Sequence, residues 1–165
     1  MDFLNTLSGA VTTDIIIIST IFILLFFFSI RYGKSNSISF LISLYVGILT
    51  FLSFPYLKEF TLLKDSEAQV TISHIVIFFI LVFIINSIVR RVIYTEYPRK
   101  KLMKYIQVGL LSASSTALLF AFAYHTIPLT TIYDFGGSID NLFSSQYFFW
   151  WLVTPLAALV ITSHQ

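Results

Sequence analysis

The sequence predicts an all-α membrane protein: a four-helix transmembrane bundle followed by a short C-terminal interfacial or re-entrant helix. Three observations predict it. First, 57% of the 165 residues are hydrophobic and only 11% are charged, against about 25% charged in an ordinary soluble domain. That excess of apolar surface needs an apolar solvent rather than a larger core. Second, four apolar runs, at about 12–30, 38–57, 70–92 and 105–127, each reach the roughly 20 residues that cross a bilayer as a helix. Third, eight of the ten Lys and Arg residues fall after the first and third runs. The runs fill so much of residues 1–165 that a single integral membrane domain is expected.

Each element has a local rationale. Met1–Val11 is a weakly apolar lead without a basic n-region, so the first run is read as a retained anchor rather than a signal peptide. Thr12, Thr13 and Asp14 carry side-chain oxygens suited to capping a helix that starts there. Ile15–Phe28 is almost unbroken Ile, Leu and Phe, interrupted by Ser19 and Thr20, whose hydroxyls can bond within the helix. Gly33 is placed to end it, and Ser35, Asn36 and Ser37 are placed to turn the chain and cap the second run. The connection is so short that the first two helices are expected to be antiparallel neighbours. The second run stops near Pro55, and Pro128 closes the fourth. Phe135-Gly136-Gly137-Ser138 reads as a turn. The last apolar stretch, 147–162, contains Pro155 and opens with Phe148-Phe149-Trp150-Trp151, rings that favour the headgroup boundary.

Charge sets the expected orientation. Arg31 and Lys34 follow the first run, and Arg90, Arg91, Arg99, Lys100, Lys101 and Lys104 follow the third. Short cytoplasmic loops hold the excess of Lys and Arg. The N-terminus is therefore expected outside and the two basic loops in the cytoplasm, with the chain in a cell inner membrane. The cluster from Arg90 to Lys104 is expected to meet anionic lipid headgroups on the cytoplasmic face. It is too short and too firmly pinned at both ends to suggest nucleic-acid binding.

Two patterns point to helix contacts. Gly109, Ala113, Ala117 and Ala121 recur every four positions on the fourth span, and Ser39, Ser43 and Gly47 do so on the second. Small side chains let helices approach closely in lipid, either within the chain or between copies of it or another membrane protein. Two polar patterns suggest a path. Asn86 lies in an apolar run and needs a hydrogen-bonding partner there. Asp14, His74 and His125 fall at similar depth near the outer face, where imidazole and carboxylate can relay protons or bind a metal; boundary residues and helix caps are the simpler reading. Cysteine is absent, which excludes disulfides and thiolate sites. No H-E-x-x-H, phosphate loop or G-x-S-x-G is present, so no catalytic residue, cofactor or metal is expected.

Asp14 heading the first span, the segment Arg31-Tyr32-Gly33-Lys34 and the small residues Ser39, Ser43 and Gly47 together resemble the start of the colicin V production (CvpA) family of small bacterial inner-membrane proteins. The resemblance covers Asp14 to Tyr56. Of the Gly- and Arg-rich motif such proteins carry around the fourth span, Lys101–Ala113 keeps only Gly109. It implies a non-enzymatic role in envelope homeostasis or export, within an assembly, and carries over no catalytic residue. A small transporter or channel subunit using Asn86 and the Asp14, His74, His125 set is the alternative, and a membrane-embedded enzyme a weaker third.

Overall fold

The computed structural model describes residues 2–55, 67–93, 101–126, 141–143 and 146–163. Among the described residues there are four helices and no strands: α1 (Asp2–Leu52), α2 (Glu67–Val89), α3 (Lys101–Thr126) and α4 (Phe148–Ser163). The first three are long and apolar enough to cross a membrane; α4, with 16 residues, is shorter.

The first two predicted spans lie in α1, divided at one residue. Gly33 has φ 89° and ψ 170°, a backbone region essentially restricted to glycine. We denote the halves α1a (2–32) and α1b (34–52). In an uninterrupted helix Ile17 and Phe51 would be about 50 Å apart. Instead Ile17 packs with Phe120 and Ala121 on α3, while Phe51 meets Phe122 on the same helix at 5.5 Å between ring centroids. Phe28 and Phe40, on either side of the turn, are 5.8 Å apart. The chain therefore folds back at Gly33.

The polar residues after the turn act differently from the caps expected of them. Asn36 Nδ2 donates to Tyr32 O and Ser37 Oγ to Gly33 O at 3.0 Å, and Ser35 Oγ donates to Ile93 O at 2.5 Å. All three donate to carbonyls, Asn36 and Ser37 to the residue four positions back and Ser35 to Ile93 just past the end of α2, rather than accepting from N–H groups as caps do. The expected N-cap at Thr12, Thr13 and Asp14 is likewise replaced, because the helix begins at Asp2 and passes through these positions. Continuing the helix pairs the backbone N–H groups that a start at residue 12 would leave to side chains. Within the span, Thr20 Oγ1 does bond back to Ile16 O at 2.7 Å.

α3 sits at the centre. It runs antiparallel to α1a, with Ser112 Oγ donating to Ser29 Oγ at 3.2 Å near one end and Phe120 against Ile17, Ile18 and Ile21 near the other. α2 runs antiparallel to α1b: Phe51 meets His74 and Phe78, Gly47 meets Val82, and Ser35 meets Ile93. The core joins Leu41, Leu44 and Phe51 of α1b with Phe78 and Val82 of α2 and Leu111, Leu118 and Phe122 of α3.

α4 packs on α3 and on α1b. Its Leu152 and Leu159 join the core, and the Tyr45 hydroxyl donates to Leu152 O. Pro155, buried within α4, has no N–H to complete the helical ladder there, so this helix already lacks one internal bond. At its start, Phe143 stacks on Trp151, Tyr124 and Phe120, and Trp151 Nε1 donates to Leu142 O at 2.8 Å. Phe149 and Trp150 remain exposed.

Two outcomes follow for stability in detergent, read by thermal or denaturant unfolding. At Gly33 a Cβ would meet no atom within 4 Å, so the penalty for Gly33→Ala is purely conformational. It should destabilise by about 1–3 kcal/mol, whereas Gly109→Ala, equally free of neighbours but helical, should be neutral or stabilising. Tyr45→Phe should cost about 0.6–1.7 kcal/mol, the range for interhelical hydrogen bonds in lipid, and should loosen α4 first in hydrogen exchange.

Candidate functional site

Helix rotation decides which candidate residues face one another. On α1b the stripe Ser39, Ser43 and Gly47 is buried, and Gly47 marks its closest approach to α2. A Cβ at Gly47 would lie 2.6 Å from Val82 Cγ2, so the contact exists because the side chain is absent. Ser43 Oγ bonds back to Ser39 O at 2.6 Å.

The ladder on α3 behaves differently. Ala121 is fully buried, but Ala113 is exposed and Gly109 has open space where a Cβ would be; Ala117 is half-buried. The buried face of α3 follows Val108, Leu111, Ser115, Leu118 and Phe122 instead.

Asp14 is buried, at 1% exposure, within a continuous helix, not at a solvated boundary. The ring of His74 packs edge-on against Phe51 at 6.1 Å. The side chain of His125 lies outside the described residues. Among the described residues no three His, Asp or Glu side chains are grouped so as to hold a metal ion.

The cations converge. Because Ser35 bonds Ile93 and Ser29 bonds Ser112, the turn at Gly33, the end of α2 and the start of α3 share one end of the bundle. Arg31, Lys34, Arg90, Arg91 and Lys104 therefore lie at that end. Arg31, Arg90 and Arg91 are exposed, whereas Lys34 is buried. Arg99 and Lys100 lie outside the described residues, as does the side chain of Lys101.

Patterning alone did not reveal one feature. A cavity of about 390 Å³ opens between α1a and α2, floored by α3, with Phe40 of α1b also lining it. Ile17, Ile21, Leu24 and Leu25 form one wall, Ile75, Phe78 and Phe79 the other. Every lining side chain is apolar. Asn86 lies on this same side of α2, since at 100° per residue it falls angularly between Ile75 and Phe79. It is half-buried, and its Oδ1 is buried without a hydrogen-bond partner.

Compared with protein-family models, with curated proteins and with solved structures, the chain has no match.

The Gly47 contact yields a specific expectation. Gly47→Ala should destabilise by about 1–3 kcal/mol through overpacking. In a Val82→Ala background the same change should cost less, giving a coupling energy of about 1 kcal/mol or more in a double-mutant cycle. Additive effects would show that α2 does not rest on α1b at this point.

Proposed function

We propose that this chain is a non-enzymatic, multi-pass protein of a bacterial inner membrane, with its N-terminus outside and its basic end in the cytoplasm. In this reading it supports envelope homeostasis or export as part of an assembly, either with copies of itself or with another membrane protein. The gathering of Arg31, Lys34, Arg90, Arg91 and Lys104 at one end of the bundle carries the orientation. With α1a and α1b running in opposite directions, α1, α2 and α3 make four passes. α4 enters from the opposite end as a re-entrant helix. At about 24 Å it is too short to span roughly 30 Å of hydrocarbon, and its contacts with Tyr45 and the core favour insertion over an interfacial position. The envelope or export role rests on the resemblance of Asp14–Tyr56 to the colicin V production family.

A small transporter or channel is the second reading, and the unpartnered oxygen of Asn86 favours it. A path needs a continuous polar stripe on two facing helices. The space beside Asn86 is lined by apolar side chains, which favours the first reading.

The absence of native cysteine makes accessibility labelling direct. Single cysteines at positions 91 and 100 should react with an impermeant maleimide only after the cells are opened, and cysteines at 65 and 138 in intact cells. Labelling of position 100 from outside would overturn the orientation. Recovery of the chain in water without detergent would overturn the membrane assignment.

A further inference from the structure

We propose that the crevice between α1a and α2 holds one acyl chain of an anionic phospholipid, with its headgroup at Arg31 and Arg90. This rests on the membrane reading above.

The crevice opens sideways. Of its lining side chains, Leu24 and Phe79 are exposed, at 64% and 49%, whereas Phe78 and Phe122 on its inner side are buried. Both rim residues lie mid-helix, so the mouth faces the surroundings of the bundle rather than either polar end. In a bilayer those surroundings are hydrocarbon. An apolar void holds no water, and leaving it empty would forfeit dispersion contacts along both walls. At about 390 Å³ it falls within the range of ligand pockets, and its lining runs about two turns along α1a, from Ile17 to Leu25, and about one turn along α2, from Ile75 to Phe79.

The two walls continue toward the basic end in a way that selects the headgroup. On α1a, Phe28 and Arg31 follow Ile21 and Leu24 seven positions on. On α2, Asn86 and Arg90 follow Phe79 seven and eleven positions on. Repeats of seven and eleven keep residues on nearly the same helical face. The track therefore runs from hydrocarbon past an amide to two exposed guanidiniums. Asn86 lies about one turn, roughly 5 Å, inward of Arg90. That order matches a phospholipid: a phosphate for the guanidiniums, ester groups one turn deeper beside the amide, and the acyl chain in the crevice.

The test uses the full chain, extracted from membranes in mild detergent. Native mass spectrometry should show one retained phospholipid per chain. After delipidation, phosphatidylglycerol should raise the unfolding temperature more than phosphatidylcholine. Filling the crevice with Ile21→Trp, or more gently with Ala123→Leu, should reduce the retained lipid at least tenfold for the larger change. Ile161→Trp, which adds the same bulk to the exposed face of α4, should leave it unchanged. Arg31→Gln combined with Arg90→Gln should abolish the preference for phosphatidylglycerol while the chain still binds phosphatidylcholine. The proposal is overturned if the wild-type chain is membrane-embedded yet retains no phospholipid, if the retained mass is a fatty acid or a peptide, or if folded Ala123→Leu retains as much lipid as wild type. Equal stabilisation by the two lipids overturns the headgroup assignment. A chain soluble without detergent fails the membrane reading itself, an outcome distinct from an embedded chain without lipid.

Discussion

The backbone reversal at Gly33 is the constraint on which the rest of the arrangement depends. A one-residue reversal between two antiparallel helices leaves few backbone groups outside the helical ladders. Gly33 makes the reversal in one residue, and Asn36 and Ser37 donate to the carbonyls of Tyr32 and Gly33. The tight turn also sets the relative depth of α1a and α1b, and hence which parts of α3 each can reach. Ser29 arrives opposite Ser112, and Phe51 opposite Phe122. Ser35, just past the turn, ties the same end to Ile93. Three helix ends and their cations are thus gathered by one glycine and a few hydroxyl and amide groups.

The crevice follows from close packing on the other side of α2. A helix approaches where side chains are smallest, and on α1b that point is Gly47. There Val82 fills the space that a side chain at Gly47 would take. Large residues on the facing surfaces of α1a and α2, Leu24 and Phe79 among them, keep that second interface from closing. The missing Cβ at one helix contact and the opening at the next are one packing solution.

Much of this was legible in the sequence because it depends on nearby residues. The apolar runs, the break at Gly33, the small stripe on α1b and the grouping of cations each follow from composition over a few turns. What was not legible depends on partners distant in the chain. Gly109 and Ala113 have the spacing of a packing seam, yet the face of α3 buried within the chain follows Leu111, Leu118 and Phe122, because which face is covered depends on where the other helices lie. The placement of α4 rests on Tyr45 and Leu152, which are 107 positions apart. Asp14 has the chemistry of a cap, but whether a helix begins there depends on whether the preceding residues also coil, and they do.

Asn86 shows how far a local signal can be read. An amide within an apolar run must bond to something, and that much follows from the cost of burying an unpaired polar group, about 1–3 kcal/mol from mutational data. Which partner it can reach depends on the rotation of α2 about its own axis. Val82 fixes that rotation by filling the gap at Gly47. With Val82 turned toward α1b, a residue four positions on is displaced by about 40°, toward the side where Ile75 and Phe79 line the crevice. A single missing side chain on the neighbouring helix thus turns Asn86 about 40° from the contact at Val82, to the side of α2 where Ile75 and Phe79 line the crevice.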